Sequence, residues 1–240
     1  MDLLDDLDDH YTARTHKKER LFIVKELQAL AAEHSVRITI LGGDVHLAAV
    51  GRFYSNPKLN VPIGGDHRYM ANIVSSAIVN KPPPQAVANL LARRNKIHHL
   101  DHDTDETLMK VFDKDPGNTS KTSSSNHVTM PSRNWAMLTE NSSRVVNGNA
   151  ANGYSIPPAK DGHSWLHKGE VNAGTTHKAA DSTTHGTDSD GSLDVMIRVE
   201  KDQHDKSGKT QGYGMTIPRL QYDRAAEHRL KQREAVVLMG

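Results

Sequence analysis

Two residues of metal-ligand type, Asp44 and His46, stand in a loop that follows an apolar run. The run VRITIL (36–41) is rich in β-branched residues, which predicts a buried strand. Gly42 and Gly43 follow it and allow a sharp turn. In open α/β sheets, ligands gather beyond the carboxyl ends of strands, and a carboxylate with a neutral imidazole suits Zn, Mn or Fe. Two residues do not complete a metal site, so the spacing alone favours a strand-ending turn capped by Asp44.

A second group of such residues lies in NKIHHLDHDTDET (95–107). Its histidines and aspartates include pairs four residues apart, a spacing that places two ligands on one face of a helix. The order Asp103-Thr104-Asp105-Glu106 resembles a capping box and predicts a helix from Asp103 to Phe112. At a helix entrance carboxylates complement the dipole, so the sequence favours capping over a metal cluster. The members are His98, His99, Asp101, His102, Asp103 and Asp105.

Helix- and strand-type patterns alternate in the first 115 residues. Apolar residues at three- and four-residue spacing predict a helix over 17–34, followed closely by the strand 36–41. Further strands are predicted within 47–55 and 69–79, and a helix entered through proline is predicted over 81–94. Helices laid over a sheet define an α/β class.

Composition changes after Asp115. Polar residues dominate 116–190 and leave too little apolar surface to offset the entropy of ordering, which predicts a long flexible insertion. Alternating apolar residues return at 192–200 and again at 212–220, which predicts a β-hairpin within 191–220 that completes the sheet of residues 1–115. Residues 221–240 are expected to form a charged C-terminal tail.

Bulk composition narrows the classes of partner. Basic and acidic residues nearly cancel at a net charge of +1, which argues against nucleic acid or an anionic membrane surface as the main partner. The chain contains no cysteine, so a metal would be held by histidine and carboxylate. No secretory signal or membrane-spanning run is found, and a cytoplasmic location is the default expectation.

Several longer segments carry a family resemblance. ILGGDVHLAAVGRFYSNPKL, DHRYMANIVSSAIVNKPPPQAVANLLARRNKIHHLDHDTDETL, VTMPSRNWAMLTE, GHSWLHKGEVNAGTTHKAAD, DGSLDVMIRVE and QGYGMTIP together resemble the C-terminal part of fungal proteins with a PhoD-like phosphatase domain. The resemblance covers nearly the whole chain in order. It implies a calcineurin-like metallophosphatase with a layered α/β/β/α sandwich, of which this chain holds part.

The resemblance also implies roles for particular residues. The family's late Gly-Asp-x-His loop supplies a metal-ligand histidine, which falls on His46, and Asp44 matches the acidic position of that loop. The metals would be divalent or trivalent ions such as Mn, Ca, Fe or Zn, and the substrate of the complete protein a small phosphoester. Arg68, in GGDHRYM, is a candidate phosphate-binding residue because its guanidinium is a planar donor.

The family's other ligands lie upstream of the helix with which this chain begins. We therefore expect the chain to be a fragment that is inactive by itself. A non-enzymatic alternative is an interaction protein that binds a partner through an exposed sheet edge or the flexible segment. A third alternative, a metal-sequestering protein, would use the cluster around His98 and His102.

Overall fold

The computed structural model describes residues 13–43, 46–76, 78–93, 95–121, 126–141 and 191–223. Its elements, in chain order, are α1 (Lys17–His34), β1 (Thr39–Gly42), β2 (Ala48–Ser55), β3 (Met70–Val74), α2 (Gln85–Arg93), β4 (His98–His99), β5 (Thr104–Leu108), β6 (Thr129–Met130), β7 (Asn134–Glu140), β8 (Leu193–Glu200) and β9 (Thr210–Ile217). The predicted first helix, the three predicted strands before α2, and α2 itself are confirmed.

Helix α1 packs on one face of a sheet. Its buried Val24 joins Phe53 and Met70 in a small apolar cluster, and the partly buried Leu27 packs against this cluster. The helix ends at Ser35, whose left-handed backbone (φ 53°) closes the last turn. Two apolar residues from neighbouring strands therefore determine which face of the helix is buried.

The first sheet has six strands: five follow the order β1-β3-β2-β5-β4, and the sixth, β6, pairs with the beginning of β2. β1 runs parallel to β3, and the other pairs are antiparallel. Consequently β1 and β2, although consecutive in the chain, are separated by β3. The end of β1 and the beginning of β2 therefore lie on either side of the carboxyl end of β3.

A second sheet, in the order β7-β8-β9, covers the other face of the first. Alternate residues of β8 and β9, such as Val195, Ile197 and Met215, are buried in one cluster with Val50 and Ile73 of the first sheet. A mixed α/β fold is therefore confirmed, and it matches a partial α/β/β/α sandwich: the described residues form a helix layer and both sheets.

The predicted helix from Asp103 to Phe112 is wrong. β4 and β5 form an antiparallel hairpin, with His98 opposite Glu106 and His99 opposite Asp105. The apparent capping box is a turn plus a strand whose side chains alternate between the two faces of the sheet. Glu106, the expected capping residue, forms an ion pair with Arg20 of α1 instead.

Two further expectations need correction. Strands β6 and β7 lie inside 116–190, where the sequence predicts a flexible insertion; residues 122–125 and 142–190 lie outside the described residues. The hairpin of β8 and β9 is confirmed, but it pairs with β7 in the second sheet rather than completing the first. Apolar residues of β7 provide the surface on which the hairpin packs. The average composition of the 75 residues from 116 to 190 hides this short apolar stretch.

Candidate functional site

His46 lies beside the carboxyl end of β3, where its backbone contacts Ser76. Adjacent strands are about 4.8 Å apart, so the connection between β1 and β2 spans about 10 Å, well within the reach of residues 43–47. Because β1 and β3 are parallel, their carboxyl ends lie side by side at this end of the sheet, which we call the carboxyl edge. This is the position at which open α/β sheets bind ligands. The order of the strands, rather than the loop sequence, places His46 there.

Hydrogen bonds hold the loop against the end of β3. The backbone N–H of His46 donates to Ser76 Oγ at 3.1 Å, and the backbone N–H of Ser75 donates to the carbonyl of Gly42 at 3.1 Å. His46 has a left-handed backbone (φ 69°), a conformation that a non-glycine residue adopts at some cost. The half-buried imidazole is therefore attached to a fixed main chain.

The second sheet also reaches this edge. Ser75 donates its hydroxyl hydrogen to Asn134 Oδ1 of β7, at 2.8 Å, and the Asn134 amide donates to the carbonyl of Ser132. Ser75 and Ser76 fall inside the strand that the sequence predicts within 69–79. Both instead follow β3 and connect the His46 loop to the second sheet, a link that depends on tertiary structure.

Asn72 is a polar residue at this edge that sequence reasoning missed. It lies in β3 between Ile40 of β1 and Gly51 of β2, and its side chain reaches toward Gly42, where a Cβ would come within 3.2 Å of Asn72 Oδ1. That oxygen is buried and has no hydrogen-bond partner among the described residues. The two glycines thus leave space for a buried amide. The available signal was one asparagine within the otherwise apolar MANIV.

Asp44 lies outside the described residues, so His46 is the described member of the predicted ligand pair. In the described part of the chain, no group of three or more His, Cys, Asp or Glu side chains could hold a metal ion. An imidazole with a fixed backbone suits one coordination position, whereas a metal centre needs three or four ligands. The chemistry of the donor set therefore fits part of a metal centre.

Arg68 lies at the opposite end of the sheet. Its guanidinium approaches Ser55 Oγ at 3.4 Å and Asp103 Oδ2 at 3.7 Å. Ser55 is the last residue of β2 and His46 precedes the first, so eight residues of strand, roughly 24 Å, separate the two places. The structure does not bring Arg68 and His46 together.

Buried Asp66 organises the surroundings of Arg68. Its carboxylate accepts hydrogen bonds from the backbone N–H and hydroxyl of Ser55, at 2.8 and 2.7 Å, and from the backbone N–H of Arg68 at 2.9 Å. The GGDHR loop, which superficially repeats the Gly-Gly-Asp of the His46 loop, uses its aspartate to fix the backbone.

The histidine and aspartate cluster at 98–105 is distributed over a turn and two strands. His99 Nδ1 lies 2.6 Å from the buried Asp105 Oδ1, and His102 Nδ1 lies 2.9 Å from Asp103 Oδ1. His98 and His99, as neighbours in a strand, point to opposite faces. The two His–Asp contacts are separate from each other. Because the segment is a hairpin and not a helix, residues four apart do not share one helical face as two metal ligands would.

The carboxylate of Asp101 in that hairpin is electrostatically stabilised. Partial burial opposes ionisation, but hydrogen bonds from the backbone N–H groups of Asp103 and Thr104, together with Lys25, lower the pKa of Asp101. Lys25 Nζ lies 3.3 Å from Asp101 Oδ2 and so links the turn to α1. The cluster has a clear structural role in closing this turn.

Comparison with known proteins identifies the class of the chain. A family model described as PhoD related phosphatase matches residues 1–221. The chain belongs to the PhoD related phosphatase family. The family resemblance carried by the loop of His46 and by the segments around it is thereby confirmed.

One relative is the uncharacterized protein YGR266W of Saccharomyces cerevisiae. It is 35% identical over 243 residues, which cover 92% of this chain and 33% of the yeast protein. The chain thus spans about a third of the length of this relative. No solved structure matches the present chain. Among the helices that the structure describes, none is sufficiently long and apolar to cross a bilayer.

Proposed function

We propose that this chain is one part of a metal-dependent phosphatase, in which Asp44 and His46 supply ligands from the loop after β1. Family membership supports phosphoester hydrolysis, and the position of His46 at the joint end of β1 and β3 is the observation that carries the assignment. Because the described residues hold no complete ligand set, further ligands must come from outside them.

The residues of this chain would position one side of such a centre. A bound metal ion would neutralise phosphate oxygens and lower the pKa of water. Ser76 fixes the main chain of His46, and Ser75 fixes the same edge to Asn134. These contacts restrict the directions that the imidazole can take, which is what a ligand requires of its supports.

The identity of the metal and the substrate class are part of the proposal. Mn, Ca, Fe and Zn remain the candidate ions, and a small phosphoester is the candidate substrate. Arg68 is left out of this site because it lies at the other end of β2 and is engaged by Ser55 and Asp103. Its role in phosphate binding stays a prediction.

The test compares hydrolysis of p-nitrophenyl phosphate by a longer protein containing this segment with hydrolysis by the 240-residue chain, each with Mn²⁺, Ca²⁺, Fe³⁺ or Zn²⁺. We expect turnover by the longer protein and little or none by this chain. His46→Ala should lower kcat/KM in the longer protein by at least about a hundredfold. Removing only the hydrogen-bond partner of a metal ligand can already cost about that much, and loss of the ligand itself should cost no less.

His102→Ala is the matched control, because that imidazole is 97% exposed and lies in a turn away from β1. It should retain full activity. Equal losses in the two variants, or an unchanged metal stoichiometry in purified His46→Ala, would contradict a ligand role for His46. Turnover by the 240-residue chain that His46→Ala abolishes would contradict the expectation that it is inactive by itself.

A further inference from the structure

Helix α2 is amphipathic, and its apolar side points away from the protein. Successive residues of a helix are offset by about 100°, so Val87, Leu90 and Leu91 share one side. These side chains are 38%, 52% and 42% exposed. Surface helices normally turn such a stripe toward the core. The orientation of α2 is therefore reversed with respect to the usual arrangement.

Contacts with β6 and the residues before it fix this orientation. Ala88 is fully buried, its carbonyl accepts a hydrogen bond from Thr129 Oγ1 at 3.3 Å, and Asn126 Nδ2 donates to Asn89 Oδ1 at 3.1 Å. A small residue and an amide thus face the protein. The exposed stripe is a consequence of this docking and not of a detached helix.

The preceding connection extends the apolar surface. Ile78 and Val79 are the most exposed large apolar side chains among the described residues, at 68% and 80%. Three consecutive prolines, at positions 82–84, then stiffen the entry into α2. We call Ile78, Val79, Val87, Leu90 and Leu91 the outer apolar surface.

Basic residues accompany the outer apolar surface along the chain. From His67 to Leu100 the chain contains five basic residues and no acidic one, although its overall net charge is only +1. Lys81, Arg93 and Lys96 from this segment are exposed. The near-neutral net charge of the whole chain argues against an anionic membrane surface as the main partner. It conceals this segment, in which every charged side chain of Lys, Arg, Asp or Glu type is positive.

We propose that the outer apolar surface docks on the headgroup region of a membrane that contains anionic lipids. Aliphatic side chains on one side of a helix, flanked by lysine and arginine, are the features by which amphipathic helices bind in the plane of a bilayer. The charge complementarity selects an anionic lipid surface, and the exposed Ile78 and Val79 can enter between headgroups. The surface closely follows Ser76, so docking would hold the His46 loop near the membrane.

The experiment measures flotation of the full chain with vesicles of phosphatidylcholine alone and of phosphatidylcholine mixed equally with phosphatidylserine. We expect binding to the mixed vesicles, weaker binding to the neutral ones, and release as salt is raised. Lys81→Ala and Arg93→Ala should each weaken binding to mixed vesicles about fivefold, whereas Lys58→Ala should have no effect.

The double variant Ile78→Asp, Val79→Asp should abolish flotation. Its matched control, Phe22→Asp with Ile23→Asp, makes the same change at exposed apolar residues of α1 and should float normally. Leu90→Ser tests the helix independently of the connection. Thermal unfolding confirms that each variant is folded.

Three results would overturn the proposal. The first is an absence of flotation with both kinds of vesicle. The second is flotation that the Ile78 and Val79 double variant leaves unchanged. The third is a stable dimer of the wild-type chain that this variant converts to monomer, which would make the surface an interface between two copies.

Discussion

Asp101 shows how a residue of ligand type can serve a turn instead. Its Oδ1 accepts hydrogen bonds from the backbone N–H groups of Asp103 and Thr104, at 2.9 and 2.8 Å. Aspartate favours such turns because its short side chain reaches the backbone two and three residues ahead. The dense grouping of histidine and aspartate at 98–105 is therefore explained by turn formation and paired contacts.

The lowered pKa of Asp101 predicts a dependence of stability on pH. The carboxylate contributes stability above its ordinary pKa of 3.8, and this contribution is lost as the pH falls through the lower value of the folded state. Asp101→Asn should remove it and destabilise the chain by about 1 kcal/mol at neutral pH. Urea unfolding of wild type and variant should converge in acid.

The control for this prediction is Asp202→Asn. Asp202 also lies in a turn, but its carboxylate accepts one backbone hydrogen bond, from His204. A smaller change in unfolding free energy is expected. Curves for Asp101→Asn that remain parallel to wild type down to pH 2 would show that ionisation of Asp101 does not stabilise the turn.

The packing of α1 on the first sheet depends on very few side chains. Phe53 and Met70, both fully buried, come from the central strands β2 and β3 and meet Val24. The guanidinium of Arg20 lies 5.8 Å from the centre of the Phe53 ring and forms an ion pair with Glu106. The helix is thus attached by one small apolar cluster and by polar contacts with β5.

A pair of phenylalanine variants tests this attachment. Phe53→Ala should cost about 3–5 kcal/mol, because it leaves a cavity in a cluster with few members. Phe22→Ala, at a residue of α1 that is 62% exposed, should change stability by less than about 0.5 kcal/mol. Chemical denaturation monitored by circular dichroism measures both. Comparable losses in the two variants would mean that the helix does not pack as described.

Residues far apart in sequence hold the two sheets in one molecule. Arg37, before β1, donates hydrogen bonds to the carbonyls of Ile63, Asp66, Tyr69 and Pro218. Burial lowers the pKa of Arg37, although Tyr69 and Asp66 oppose this. Tyr213 of β9 donates to the carbonyl of Lys114 at 2.7 Å. These contacts connect the beginning, middle and end of the described chain.

One edge of the first sheet is open among the described residues. β1 is its terminal strand, and Leu41 on it is 66% exposed. Ile38 and Ile40, on the face opposite Leu41, pack against the cluster of Val24, Phe53 and Met70. Exposed apolar edge strands favour association, and charged residues suppress it.

Leu41→Lys should therefore shift the chain toward monomer. Sedimentation velocity at increasing protein concentration should show association of the wild-type chain and less association of this variant. Phe22→Lys, which places the same charge on an exposed position of α1, should associate as wild type does. A wild-type chain that stays monomeric at every concentration, or equal effects of both variants, would contradict a role for the β1 edge.

Local sequence determined most of the individual elements. The spacing of Val24, Leu27 and Ala31 predicts α1, and the alternation in β8 predicts a strand, because each pattern reflects one buried face. The resemblance in the Gly-Asp-x-His segment correctly indicated the family. The error at 103–112 arose because a capping-box order also suits a turn followed by a strand, and only the pairing of β5 with β2 decides between them.

Tertiary structure decided what the elements do together. The insertion of β3 between β1 and β2 brings His46 to Ser76, the pairing of β7 with β8 makes the hairpin part of a second sheet, and the length of β2 separates Arg68 from His46. Sequence could not supply these relations, because strand order and sheet membership depend on contacts between distant residues. Local patterns record only which side of each element is apolar.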